Sequence, residues 1–123
     1  PVIMNPKSAR CEIRFPDAAG NPYLTFASML MAGIDGIKNK IDPGKSFDDD
    51  LYSLSEDQVK KLPTVCGSLR EAMQNLDQDR KFLTEGGVFT DDQIDAYIEL
   101  KFQEIYKFEH TPHPIEFEMY YSD

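Results

Sequence analysis

Residues 9–15 alternate, with Ala9, Cys11, Ile13 and Phe15 on one side and Arg10, Glu12 and Arg14 on the other. A period of two predicts a half-buried strand, ended by Pro16, which cannot donate to a ladder. A strand does not stand by itself; it needs partners in a sheet. This sequence offers at most one, the alternating tail from Ile115 to Tyr121. The rest of the sheet is therefore expected outside the chain, in a longer protein or an obligate assembly. The opening Pro1-Val2-Ile3-Met4, with no initiating Met, leads to the same expectation of truncation or processing.

Helix punctuation accounts for most of what lies between. Asn21 as N-cap and Pro22 at the first helical position predict a helix start. Tyr23, Phe26, Ala27, Leu30, Ile34, Ile37 and Ile41 then follow helical spacing, and Leu24, Met29 and Met31 add apolar residues off that stripe. A helix apolar nearly all round is expected to be buried. Asp42-Pro43-Gly44 stops it, and residues 43–54 read as a loop. Ser55 to Leu62 is a short helix with an S-x-x-Q capping box, closed by Pro63. Ser68 to Glu85 is a longer helix, boxed by Ser68 and Glu71, with a stripe of Leu69, Ala72, Met73, Leu76 and Leu83, and ended by Gly86-Gly87. Thr90 and Gln93 box a fourth helix running to about Phe108, with Phe89 and Ile94 placed as a hydrophobic staple. Pro112 and Pro114 break the chain before the extended tail. The expected class is α+β: a mainly helical fragment, an N-terminal strand belonging to a larger antiparallel sheet, and an extended C-terminal tail.

The charge balance narrows the partners. Against 13 basic residues stand 22 acidic ones, a net charge of −9, so nucleic acid and anionic lipid surfaces should repel the chain. No apolar run reaches the length of a membrane span. Cys11 and Cys66 are isolated in sequence, which fits reduced thiols and a cytoplasmic setting.

Chemistry concentrates in the strand. Side chains at alternate positions share one face, about 7 Å apart. Guanidinium groups take phosphate or carboxylate oxygens bidentately, and a carboxylate takes hard cations such as Mg²⁺ or Mn²⁺. The row Arg10, Glu12, Arg14, with Lys7 three residues earlier, therefore suits a site where a metal meets an anionic substrate. The same spacing equally describes a solvent-facing strand with cross-strand charge pairs, and one carboxylate is not a metal site. His110 and His113 flank Thr111-Pro112, where metal binding or pH sensing competes with a loop role. Phe117, Tyr120 and Tyr121 fit a core or a contact with a neighbouring subunit. From the residues alone, a non-catalytic helical assembly or binding module is the alternative function.

Longer blocks then carry a resemblance. Asn5-Pro6-Lys7-Ser8-Ala9-Arg10, Glu12-Ile13-Arg14-Phe15-Pro16-Asp17, Asn21-Pro22-Tyr23-Leu24 and Asp35-Gly36-Ile37-Lys38-Asn39-Lys40-Ile41 follow one another in order. Leu51-Tyr52, Gly86-Gly87-Val88-Phe89-Thr90-Asp91 and Pro112-His113-Pro114 continue the series. Together they resemble the carboxyl-terminal part of bacterial type I glutamine synthetase, over essentially the whole chain. The resemblance implies an ATP-dependent ligase that makes L-glutamine from L-glutamate and ammonia through a γ-glutamyl phosphate, with Mg²⁺ or Mn²⁺. It implies Glu12 as a ligand of the ATP-side cation, Arg14 as a glutamate-binding residue, and Lys7 and Arg10 as nucleotide-binding residues. Tyr52 matches the tyrosine on which an adenylyltransferase places AMP in enteric-type enzymes, although Ser53 and Ser55 stand where Asp and Pro are common. Residues 110–123 match the segment by which a subunit of one six-membered ring inserts into the ring stacked against it. The remaining metal ligands and most glutamate and ammonia contacts lie outside the chain, so by itself it is expected to be inactive. A related ligase acting on another amine is a second alternative, because the residues choosing the amine are also outside.

Overall fold

The computed structural model describes residues 7, 10–47 and 50–121. Six α-helices and two short 3₁₀ turns form among them, and no strand does. The elements are α1 (Pro22–Asn39), a 3₁₀ turn (Leu51–Ser53), α2 (Glu56–Val59), α3 (Leu69–Gln78), α4 (Lys81–Thr84), a second 3₁₀ turn (Glu85–Gly87), α5 (Asp91–Glu109) and α6 (Pro114–Tyr120). Ala9, Asp48, Asp49, Ser122 and Asp123, which belong to the expected strand, the acidic run and the tail, lie outside the described residues.

Each expected helix start is realised by its cap. Asn21 Oδ1 accepts from the Tyr23 N–H at 3.0 Å and the Leu24 N–H at 3.4 Å, and Pro22 occupies the first helical position. The Ser68 hydroxyl accepts from the Glu71 N–H at 3.1 Å. Thr90 and Gln93 exchange hydrogen bonds reciprocally, at 3.3 and 3.0 Å. These contacts satisfy N–H groups that the first helical turn cannot. Before α1, the chain turns at Asp17–Gly20, where the Gly20 N–H donates to the Asp17 carbonyl at 3.0 Å. A Cβ at Gly20 would sit 3.1 Å from that same carbonyl oxygen, so a larger residue would crowd the turn.

The core is small and lies where α1, α4 and α5 meet. Met31, Leu83 and Ile94 are buried together, with Leu76, Phe82, Phe89 and Ile98 packed against them. The staple pair Phe89 and Ile94 thus joins one cluster. Helix α3 lies along α5, and α1 against α4. Met73 on α3 and Ile105 on α5 are buried as well.

Four expectations are corrected. Residues 10–15 form no strand: they are irregular and exposed, because no second strand faces them and water serves their backbone groups instead. The expected helix from Ser68 to Glu85 breaks at Asp79 and Arg80. Asp79 leaves helical geometry (φ −127°, ψ 78°), and the Arg80 guanidinium pairs with Asp77, Asp95 and, at 3.8 Å, Asp91. Those three carboxylates come from α3 and α5, so the corner is fixed by tertiary charge rather than by a local stop signal. The tail is not extended: Pro114 to Tyr120 is helical, with the His113 ring nitrogen accepting from the Ile115 N–H at 3.2 Å and Glu116 accepting from the His113 N–H at 2.9 Å. That is a capping box with Pro at its first helical position, and it overrides the alternating pattern. Finally, α1 is not buried within this chain. Only Met31 is covered, while Tyr23, Phe26, Leu30 and Ile37 stand open to solvent.

Candidate functional site

The row Arg10, Glu12, Arg14 depends on backbone geometry that residues 10–15 do not adopt here. All three side chains are exposed, and Arg14 forms an ion pair with Glu12. Exposed pairs of this kind contribute little to stability and exchange readily for other ligands. Lys7 is exposed and has an interaction of its own. The structure therefore places Glu12 beside Arg14.

Two hollows flank the helices. The larger, about 730 Å³, is an apolar groove between α1 and α5, with Phe15 and Pro16 forming one lip and Leu24, Met29, Ile94 and Tyr97 along its walls. The segment that carries Arg14 thus ends against the groove through its next residue, while the charged row itself stays outside. The smaller, about 490 Å³, lies between α1 and α4, where Asp35, Asn39, Lys81 and Glu85 face it. Nearby, Lys38 of α1 pairs with Glu85 in the 3₁₀ turn that follows α4.

Among the described residues, no three His, Cys, Asp or Glu side chains converge as a metal ion requires. Glu12, already held by Arg14, does not fit a complete cation site with the groups present. His110 and His113 do not form one either. The His110 ring nitrogen Nδ1 lies 2.7 Å from the Tyr106 carbonyl, and His113 caps α6. Both are accounted for by helix-end contacts.

Tyr52 is displayed differently. It occupies the Leu51–Ser53 turn and is completely exposed. Asp50 caps that turn, its carboxylate accepting from the Tyr52 N–H at 3.1 Å. The Asp50 carbonyl accepts from the Ser53 N–H at 3.0 Å and from the Ser53 hydroxyl at 2.7 Å. The bond from the Tyr52 N–H to the Asp50 carboxylate is an Asx turn, which an Asp can form with the N–H two residues on and which the acidic run at 48–50 does not single out in the sequence.

The strongest electrostatics belong to the scaffold. Arg70 of α3 binds Glu109 of α5 through two hydrogen bonds, 3.1 and 2.6 Å, and lies 5.5 and 5.3 Å from the ring centres of Phe102 and Tyr106. The guanidinium bond holds the Glu109 carboxyl below the usual carboxylate range and raises Arg70 in turn. Arg80 is raised by its bonds to Asp95 and then Asp77. Lys101 is raised by Glu104, 2.8 Å away, while standing over the Tyr97 ring.

Among the described residues, a helical scaffold carries the candidate chemical groups on an exposed rim. The chain belongs to the family described as "Glutamine synthetase, catalytic domain", whose model matches residues 1–120. It is 67% identical to the glutamine synthetase of Rhizobium meliloti (strain 1021), and 58% identical to those of Methylococcus capsulatus (strain ATCC 33009 / NCIMB 11132 / Bath) and Escherichia coli (strain K12). Each match runs over 122 residues, 99% of this chain and 26% of the relative. The chain thus spans about a quarter of the length of these curated relatives.

Proposed function

We propose that these residues are the C-terminal part of the catalytic domain of a cytoplasmic glutamate–ammonia ligase. The observation that carries this reading is the 67% identity to a named glutamine synthetase across nearly the whole chain. The reaction has a plain physical need. A carboxylate resists attack by ammonia until it carries a good leaving group, so ATP phosphorylates the glutamate side chain first. Ammonia then displaces phosphate, leaving L-glutamine, ADP and phosphate.

In this reading Lys7 and Arg10 bind the nucleotide and its phosphates, Arg14 binds glutamate, and Glu12 supplies one carboxylate to a Mg²⁺ or Mn²⁺ site completed by residues outside the chain. The exposed Arg14–Glu12 pair is consistent with those roles, since a weak surface pair gives way when stronger ligands arrive. Residues 110–123 form the tail joining two stacked hexameric rings, and an adenylyltransferase modifies Tyr52 to lower activity. Among the described residues, no helix is long and apolar enough to cross a membrane.

The test separates part from whole. ATP- and Mn²⁺-dependent γ-glutamyl transfer should be measured on residues 1–123 and on the full-length protein that contains them. Turnover only in the latter is expected. Clear turnover by the short chain, or none by the long one, would sink the proposal.

A further inference from the structure

We propose that Asp50 is a positioning residue for modification of Tyr52, acting as the side-chain cap that presents the phenol on a preformed turn; this rests on the reading of Tyr52 as the adenylylated residue. Three hydrogen bonds define the turn, all of them centred on Asp50: its carboxylate takes the Tyr52 N–H, and its carbonyl takes both the N–H and the hydroxyl of Ser53. Immediately after it, the Ser55 N–H donates to Gln58 Oε1 at 2.9 Å and opens α2. The turn is therefore closed by its own hydrogen bonds and runs directly into the cap of α2, while the Tyr52 side chain is completely exposed.

A transferase must bring the Tyr52 oxygen in line with the α-phosphorus of ATP. The O–P bond forms, the bond from the α-phosphorus to the bridging oxygen breaks, pyrophosphate leaves, and the phenol proton passes to a base of the transferase. Nothing in the step needs Asp50 to touch the reacting atoms. Its contribution comes earlier. A loop already ordered in the docked conformation does not lose that freedom on binding. Removing such a cap should weaken docking uniformly, which raises KM and leaves kcat nearly unchanged. The Asx bond needs an acceptor at the reach of Asp or Asn; Glu keeps the charge but sets its oxygens one carbon too far, and Ala removes the acceptor.

The experiment uses the full-length ligase, a purified glutamine-synthetase adenylyltransferase and ATP labelled at the α-phosphate. Wild-type protein should take up label, and Tyr52→Phe should not; failure of either removes the reading of Tyr52, and this inference with it. Given Tyr52-specific label, Asp50→Ala and Asp50→Glu should each lower kcat/KM for labelling about fivefold, mostly through KM, while Asp50→Asn stays near wild type. Glutamine formation by all three variants should be unchanged, which also shows that they fold and assemble. Unchanged labelling of Asp50→Ala overturns the proposal. So does a slow Asn variant beside a normal Glu variant, which would mean that the transferase reads the charge rather than the turn. Should Asp50→Ala not assemble, the Glu and Asn pair decides in the same way.

Discussion

The N-terminal segment and the α3–α5 pair obey opposite rules. Residues 10–15 hold the charged groups proposed for chemistry, yet no hydrogen-bond ladder orders them, and Arg14 pairs with Glu12 at the surface. In α3 and α5 the charged groups do structural work: Arg70 closes on Glu109 and two rings, and Arg80 gathers three aspartates at the corner before α4. One region carries its own scaffold, whereas the other has none among the described residues. Charge at a reacting centre has to remain available for substrate; charge in a scaffold is used up by its partners.

The largest effect that would sharpen this contrast is on catalysis. In the full-length ligase, Glu12→Ala should cut glutamine synthesis by about 10²-fold or more, as loss of a charge-stabilising group does, and should weaken metal binding in a titration. Its unfolding should stay near wild type, because Glu12 supports no packing. Metal dependence identical to wild type would count against the role given to Glu12. In the scaffold the expectation reverses. Ile94→Ala, at a residue only 4% exposed, should destabilise by about 2–4 kcal/mol, seen as faster hydrogen exchange of α5 amides. Unaltered exchange would mean that the Met31–Leu83–Ile94 cluster is not the core.

A smaller effect tests the ion pair. Arg70 lowers the Glu109 carboxyl, so the stabilisation it provides is present above the ordinary carboxylate pKa and fades as pH falls through the depressed value. Between about pH 6 and about pH 3, Glu109→Gln should therefore flatten part of the loss in α5 protection that wild type shows. Parallel profiles for the two proteins would remove this pair from the account. The smallest effect sits at the end of α1. Lys40 adopts a left-handed conformation (φ 51°, ψ 45°) as the C-cap. Gly is the residue suited to that geometry, so Lys40→Gly should stabilise α1 by about 0.5 kcal/mol, read from exchange of the Gly36 and Ile37 amides. A loss of protection there would show that the Lys40 side chain matters more than its backbone.

What could be read in advance follows the same division. Caps are local, so Asn21, Ser68 and Thr90 announced their helices, and the observed starts agree. The family-specific blocks pointed to the right family, which the match over residues 1–120 bears out. Strands are not local. Alternation over residues 9–15 gave a reason for a strand but no partner, and without one residues 10–15 stay irregular. The break at Asp79–Arg80 was hidden for a related reason, since two of its aspartates, Asp91 and Asp95, come from a different helix. The α6 helix was visible in principle. His113-Pro114 followed by Glu116 is a helix-start pattern, but Ile115, Phe117, Met119 and Tyr121 also alternate, and that alternation masks it.

The outward side of α1 has a consequence beyond its geometry. Chaperones and proteases recognise exposed apolar side chains, whatever fold carries them. To them Tyr23, Phe26, Leu30 and Ile37, laid along one folded helix, present the same signal as a nascent or damaged chain. The survival of this segment in a cell is therefore governed by how soon that surface is covered, and no strengthening of the α3–α5 contacts would change it.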